Sequence, residues 1–249
     1  MATIYCGTKT FQAVEAVLFD KDGTLADCHD FLHALVLARS SFVEAQVPGV
    51  KESLLKTFGL VNGRINPVGL IAVSTRQEDE IATAACIAAT GRDWIEAKTI
   101  AHTALLDADR ALPQKAKLTP LFDGALPLLQ SLARSDLKVG ILSADTEENV
   151  RDFVRVHSLA AYFHLQMGSR NGLSKPDSRL LDLACHRLSV SPAATLIIGD
   201  SSADIELAKR SGALGAVGVT WGGTHSNQLA NADVILDRFD EITFNHLSA

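Results

Sequence analysis

An apolar run, Ala16-Val17-Leu18-Phe19, leads straight into Asp20-Lys21-Asp22-Gly23-Thr24-Leu25. Two carboxylates one residue apart at a strand tip repel each other unless a cation or a shared proton stands between them, so the pair reads as a chemical site. The pattern recurs in Leu196-Ile197-Ile198-Gly199-Asp200, and Asp204 follows one helical turn later, within reach of the same space. A third run, Lys138–Leu142, ends in Ser143-Ala144-Asp145-Thr146. There a hydroxyl and neighbouring backbone N–H groups can hold an anionic oxygen, although Asp145 or Thr146 would equally serve to cap the next helix. Lys175 stands just before Pro176, a residue suited to a helix's first turn. Several carboxylates with one lysine and one hydroxyl make a poor cradle for an organic cofactor. They suit a hard divalent cation together with a phosphoryl group.

These residues need elements that bring them to one edge. The apolar runs Glu15–Phe19, Lys138–Leu142, Ala194–Ile198, Leu214–Val219 and, more weakly, Asp233–Leu236 are strand-like, and helical patterns separate the later ones. Such alternation predicts an α/β chain with a parallel sheet and helices on its faces, and in open sheets of this kind ligands sit beyond the carboxyl ends of the strands. More than a hundred residues part the first run from the second, so something is inserted there.

The insert spans residues 28–115 and offers no good strand candidate. Helical spacing dominates it: Leu32, Leu35, Val36 and Phe42; then Ile81, Ala84, Ala85 and Ala88; then Trp94, Ala97, Ala101, Ala104, Leu105 and Ala108. Gly91 is expected to break the second helix from the third. The expected division is a core of residues 1–27 and 116–249 and a helical cap of residues 28–115. The proline-bearing stretch Leu112–Pro120 returns the chain to the core. Two short crossings at one end of a sheet would make a hinge, and a cap on it would close over the strand tips.

Composition narrows the function classes. With 249 residues, 47% of them hydrophobic, the chain can bury a large core. A net charge of −6 and the absence of a basic run or aromatic stripe argue against nucleic acid as a partner. No stretch approaches the roughly 18 apolar residues of a membrane span, and the first residues lack a secretory pattern. Four cysteines at 6, 28, 86 and 185, without a CxxC pair, suit a reducing compartment, and a cytoplasmic location is expected.

The set Asp20-Lys21-Asp22-Gly23-Thr24-Leu25, Ser143, Lys175-Pro176-Asp177 and Gly199-Asp200 through Asp204, in that order, resembles the motifs of the haloacid dehalogenase superfamily and covers nearly the whole chain. The resemblance implies a doubly wound, Rossmann-like α/β core, and an insert between the first and second motifs resembles the helical cap of phosphoglycolate phosphatase-like members. The resemblance implies a Mg²⁺-dependent phosphatase acting on a small phosphorylated metabolite. Asp20 would be the nucleophile, forming an aspartyl-phosphate, and Asp22 the general acid and base. Asp20, the backbone carbonyl of Asp22 and Asp200 would hold Mg²⁺, Ser143, Ala144 and Lys175 would hold the phosphoryl oxygens, and Asp204 would orient water or the lysine.

Asp22 separates phosphate transfer from dehalogenation, because halide needs no proton. Lys21 resembles the Asp-Lys-Thr-Gly-Thr of P-type ATPases, but Asp22 replaces the Thr and membrane helices are lacking. A β-phosphoglucomutase-like mutase would carry a His where this chain has Leu32, with His29 and His33 offset. A mutase and a non-catalytic binding or regulatory protein of the same fold are the alternatives. Lys21 itself is expected to turn away from the pocket. In the cap, Arg64, Asn66 and Arg76 are the candidates for selecting a second anionic group on the substrate.

Overall fold

The computed structural model describes residues 2–170 and 172–246. It divides into two compact units, residues 1–27 with 119–249 and residues 28–118.

The first unit opens with β1 (Ala2–Cys6), β2 (Lys9–Val14) and β3 (Ala16–Phe19). The second unit holds α1 (His29–Glu44), α2 (Lys51–Phe58), the two-residue strands β4 (Leu60–Val61) and β5 (Arg64–Ile65), then α3 (Leu70–Val73), α4 (Arg76–Ala88) and α5 (Trp94–Ala111). The first unit resumes with α6 (Ala125–Leu132), β6 (Lys138–Thr146), α7 (Glu147–Val156), β7 (Leu165–Ser169), α8 (Ser178–Leu188), β8 (Thr195–Gly199), α9 (Ser202–Arg210), β9 (Gly215–Val219), β10 (Val234–Leu236) and β11 (Ile242–His246).

Six of these strands form one sheet in the order β10-β9-β8-β3-β6-β7, with every pairing parallel. Counted from β3 as first, the order is 3-2-1-4-5-6 read from the β7 edge, the doubly wound arrangement whose switch point lies between the first and fourth strands. Here those strands are β3 and β8. Val17, Leu18 and Phe19 are all buried although alternate residues face opposite sides, so both faces of β3 are covered. Leu180, Leu181 and Ala184 of α8 and Ile205 and Ala208 of α9 share one cluster with Leu18 and Ile197.

Two parts of this unit were not expected. β7 is a strand that Leu165-Gln166-Met167-Gly168-Ser169 does not announce, because a Gln and a Gly dilute its apolar run. The chain's first residues form β1 and β2, which pair antiparallel with each other and with β11 in a separate three-stranded sheet. Single-sequence periodicity could not join strands drawn from opposite ends of the chain.

The second unit is helical apart from the β4-β5 hairpin, which corrects the expectation of no strand; its turn is Asn62-Gly63, both at positive φ. α5 buries Ala97, Ala101, Ala104, Leu105 and Ala108. α4 differs from its expected face, since it buries Asp79, Thr83, Ala84 and Ile87 while Ile81 is half exposed. The reason is Arg39 of α1, a buried cation that donates to Asp79 Oδ2 at 2.6 Å and to Asp109 Oδ1 at 2.9 Å. α4 turns its acid inward to meet that charge. Among the described residues, no helix is long and apolar enough to cross a membrane.

Candidate active site

β3 and β8 part at their carboxyl ends, and an acid leaves each one. The Asp20 N–H donates to the Ile198 carbonyl at 2.8 Å, which carries the β3–β8 pairing one residue past β3 and sets the carboxylate at the switch point, 7% exposed. Asp200 follows β8. Its Oδ1 accepts from Thr24 Oγ1 and its Oδ2 from Thr224 Oγ1, both at 3.2 Å. A Cβ on Gly23 would lie 2.2 Å from Asp200 Oδ2, and Gly23 has φ +83°, so only glycine lets the first loop pass this carboxylate.

Lys175 lies between β7 and α8, after which the chain crosses to β8. Its buried Nζ donates to Asp20 Oδ1 and to Asp204 Oδ1, each at 2.5 Å. Asp204 is fixed in turn by a capping box at the start of α9, where its Oδ2 accepts from Ser201 N at 3.1 Å and Ser201 Oγ at 2.6 Å. Asp204 thus presents the lysine to Asp20.

Burial pushes the Asp20 carboxyl up to about 7, against the pull of Lys175 and with the help of the Asp204 and Asp22 charges. Asp200 is also pushed well above the usual carboxylate range, by burial and then by the charges of Asp20 and Asp204. Burial pulls Lys175 down, but the two carboxylates outweigh it and hold the ammonium above the ordinary lysine value. More negative charge gathers at the switch point than one lysine neutralises. Asp20, Asp200 and Asp204 each offer a carboxylate oxygen, and these lie within 4.8 Å of one another. Hard oxygen donors at this spacing fit a hard divalent cation, with the threonine hydroxyls orienting Asp200 behind it.

Ser143 lies inside β6, which runs four residues beyond its expected end. It is buried, and its Oγ accepts from the Asp145 N–H at 3.1 Å. Ala144 is exposed, and its carbonyl accepts from Ser169 Oγ at 2.7 Å, tying the tip of β6 to β7. Lys21 departs from the expectation that it faces away. It is 1% exposed, its ammonium pairs with Asp22 Oδ1 and lies 3.1 Å from Asp145 Oδ2, and it sits 5.7 Å from the centre of the Phe153 ring. A surface lysine and a buried ion-paired one look alike in sequence.

The loop after β9 braces the first motif. Trp221 Nε1–H donates to the Thr24 carbonyl at 2.8 Å, and a Cβ on Gly222 would lie 2.2 Å from the Gly23 carbonyl oxygen. Thr224, which steadies Asp200, was missed altogether. The available signal was a Trp-Gly-Gly directly after a strand on the same sheet edge.

The three cap candidates are spread along the second unit. Arg64 is exposed on β5. Asn66 Oδ1 accepts from the Val68 N–H at 3.1 Å and so serves its own turn. Arg76 pairs with Glu80 at 3.3 Å and Asp109 at 3.5 Å at the start of α4.

The model of the haloacid dehalogenase-like hydrolase family matches residues 14–212. The chain is 28% identical over 229 residues to the N-acetylmuramic acid 6-phosphate phosphatase of Pseudomonas putida, covering 90% of this chain and 92% of that one. It is also 28% identical over 235 residues to a phosphoglycolate phosphatase of Salmonella paratyphi A, covering 93% and 92%. The fold is shared with the crystal structure of a predicted phosphoglycolate phosphatase from Haemophilus somnus, with a TM-score of 0.64 at 18% identity over 92% of this chain and 96% of that one. With a match across the first motif, the inserted unit and the second acid-tipped strand, this chain is an enzyme of the haloacid dehalogenase-like hydrolase family.

Proposed function

We propose that the protein is a phosphatase that hydrolyses a small-molecule phosphomonoester through an aspartyl-phosphate on Asp20. One observation carries this reading: Lys175 is buried between Asp20 and Asp204 at 2.5 Å from each, at the mouth of β3 and beside Asp200. A structural ion pair needs one acid, whereas a phosphoryl-transfer site needs a nucleophilic carboxylate, a fixed cation for the transferring oxygens and further acids for a metal.

In this reading an Asp20 carboxylate oxygen attacks phosphorus, the bond from phosphorus to the leaving oxygen breaks, and Asp22 gives that oxygen its proton. Asp22 then takes a proton from water, the water oxygen bonds to phosphorus, and Asp20 is released with inorganic phosphate. Lys175 and the Ser143–Ala144 segment hold the non-bridging oxygens. Asp20, Asp200 and the Asp22 carbonyl would hold Mg²⁺, which when bound offsets charge on the acids and the phosphoryl group. Asp204 keeps Lys175 in place.

The names of the two relatives, N-acetylmuramic acid 6-phosphate phosphatase and phosphoglycolate phosphatase, both denote enzymes of phosphorylated acids. A phosphomonoester that also bears a carboxylate is therefore the substrate class proposed. Phosphate release from a panel of phosphoacids, phosphosugars and nucleotides, with Mg²⁺ and with chelator, tests the reading. Metal-dependent turnover that Asp20→Asn abolishes while the fold is retained is the expected result. Undiminished turnover by Asp20→Asn would overturn the assignment of the nucleophile.

A further inference from the structure

Lys21 takes no part in the displacement described above, yet it is a cation buried within the first motif. Its backbone is locked, because the N–H groups of Thr24, Leu25 and Ala26 converge on its carbonyl at 3.4, 2.9 and 2.8 Å. Burying an ammonium is costly, and a methionine or leucine of similar volume would fill the space beside Phe153 without that cost. What the charge supplies is a link between two carboxylates of unequal exposure.

One of them, Asp145, is held from the far side. Its Oδ1 accepts from the Thr146 N–H at 2.8 Å and from Asn149 Nδ2 at 2.7 Å, which anchors it to the first turn of α7, and its Oδ2 faces Lys21 at 3.1 Å. The other, Asp22, is more exposed and lies on the turn leaving β3. The contacts form one chain from Asn149 through Asp145 and Lys21 to Asp22. A helix start is thereby linked, through one buried cation, to the carboxylate of Asp22.

We propose that Lys21 is a positioning residue for Asp22, fixing its carboxyl relative to the leaving oxygen, with Asp145 and Asn149 as its anchor. The inference rests on Asp22 acting as the general acid. Its consequence depends on the substrate. An alkyl phosphomonoester expels a strongly basic alkoxide and needs a well-placed acid, whereas p-nitrophenyl phosphate expels a phenolate that leaves without one.

The test compares kcat and KM of the wild type, Lys21→Met, Asp145→Ala and Asp22→Asn on the alkyl phosphomonoester that turns over best in the panel above and on p-nitrophenyl phosphate. General acids contribute about 10²–10⁴-fold. Lys21→Met is expected to lower kcat/KM, which reports only the first transfer, on the alkyl ester by roughly 10–100-fold, while kcat/KM on p-nitrophenyl phosphate falls by less than about 3-fold, and Asp145→Ala follows the same pattern more weakly; hydrolysis of the aspartyl-phosphate is common to both substrates and enters kcat alone. Should Lys21→Met fail to fold, Lys21→Met combined with Asp145→Asn removes the negative charge that had faced the ammonium and carries the same comparison. Equal losses of kcat/KM on both substrates, or no loss on either, would overturn the positioning role and leave the phosphatase reading standing. If Asp22→Asn itself shows no dependence on the leaving group, the general-acid assignment fails, and the two failures are thereby told apart.

Discussion

Replacing Asp20 with Asn should stabilise the metal-free protein at alkaline pH, the opposite of what loss of a well-paired carboxylate would do. In the folded chain the Asp20 carboxyl is raised from 3.8 to about 7, chiefly by burial. A carboxyl whose folded value lies above its unfolded one binds protons more tightly in the native state. Its contribution is complete below about pH 4 and is lost as pH rises through about 7. A rise of about three units corresponds to about 4 kcal/mol forfeited between those limits. The raised carboxyl of Asp200 adds a loss of the same sign. Asn at position 20 has nothing to ionise, while Lys175 keeps Asp204 as a partner, so the offset from its lost contact is about 1 kcal/mol.

The net expectation in chelator is a gain of about 2–4 kcal/mol for Asp20→Asn at pH 8, shrinking below about 1 kcal/mol near pH 4.5. For a chain of this size that is a rise in Tm of roughly 10 °C at pH 8. Urea and thermal unfolding of both proteins across pH 4.5–8 in chelator would measure it. With millimolar Mg²⁺ the order should reverse, since a cation that binds only the folded state stabilises the protein that retains its ligand. An Asp20→Asn protein less stable than wild type at pH 8 in chelator, or a difference that does not change with pH, would refute the electrostatic reasoning.

Other consequences are more local. Gly222→Ala places a Cβ 2.2 Å from the Gly23 carbonyl oxygen and should displace the turn that carries Asp22, lowering kcat/KM by about 10-fold or more while Tm changes modestly. Arg39→Ala leaves Asp79 buried without its cation and should cost about 3–5 kcal/mol in the helical unit, read by urea unfolding, with Arg39→Met plus Asp79→Leu recovering most of it. None of the four cysteines is in a disulfide; Cys6, whose thiol burial pushes up to about 12, Cys28 and Cys185 are buried, whereas Cys86 is half-buried. An aromatic disulfide reagent at pH 8 should therefore titrate one thiol per native chain within minutes and the other three only on unfolding, and two fast thiols would contradict the burial of Cys6, Cys28 or Cys185.

Much of the core's architecture could be read in the residues because its parallel strands are buried on both faces. A strand of that kind must be a short unbroken apolar run, so Glu15–Phe19, Ala194–Ile198 and Leu214–Val219 could be placed to within a residue of β3, β8 and β9. The acids that terminate two of those runs were conspicuous for the same reason, since a charge directly after a buried run has to lie at a strand tip. β7 escaped because Gln166 and Gly168 interrupt its pattern, and the β1-β2-β11 sheet because it joins segments more than 200 residues apart. Partnership was the other thing that residue type could not convey. Only the fold shows that Lys175 reaches across to Asp20 and Asp204, that Thr224 steadies Asp200, and that Lys21 lies buried between Asp22 and Asp145. Local sequence determines where a strand must stop and what chemical groups stand at its end. Which of those groups share a charge depends on strand order and crossovers, and those are set by the packing of the whole core.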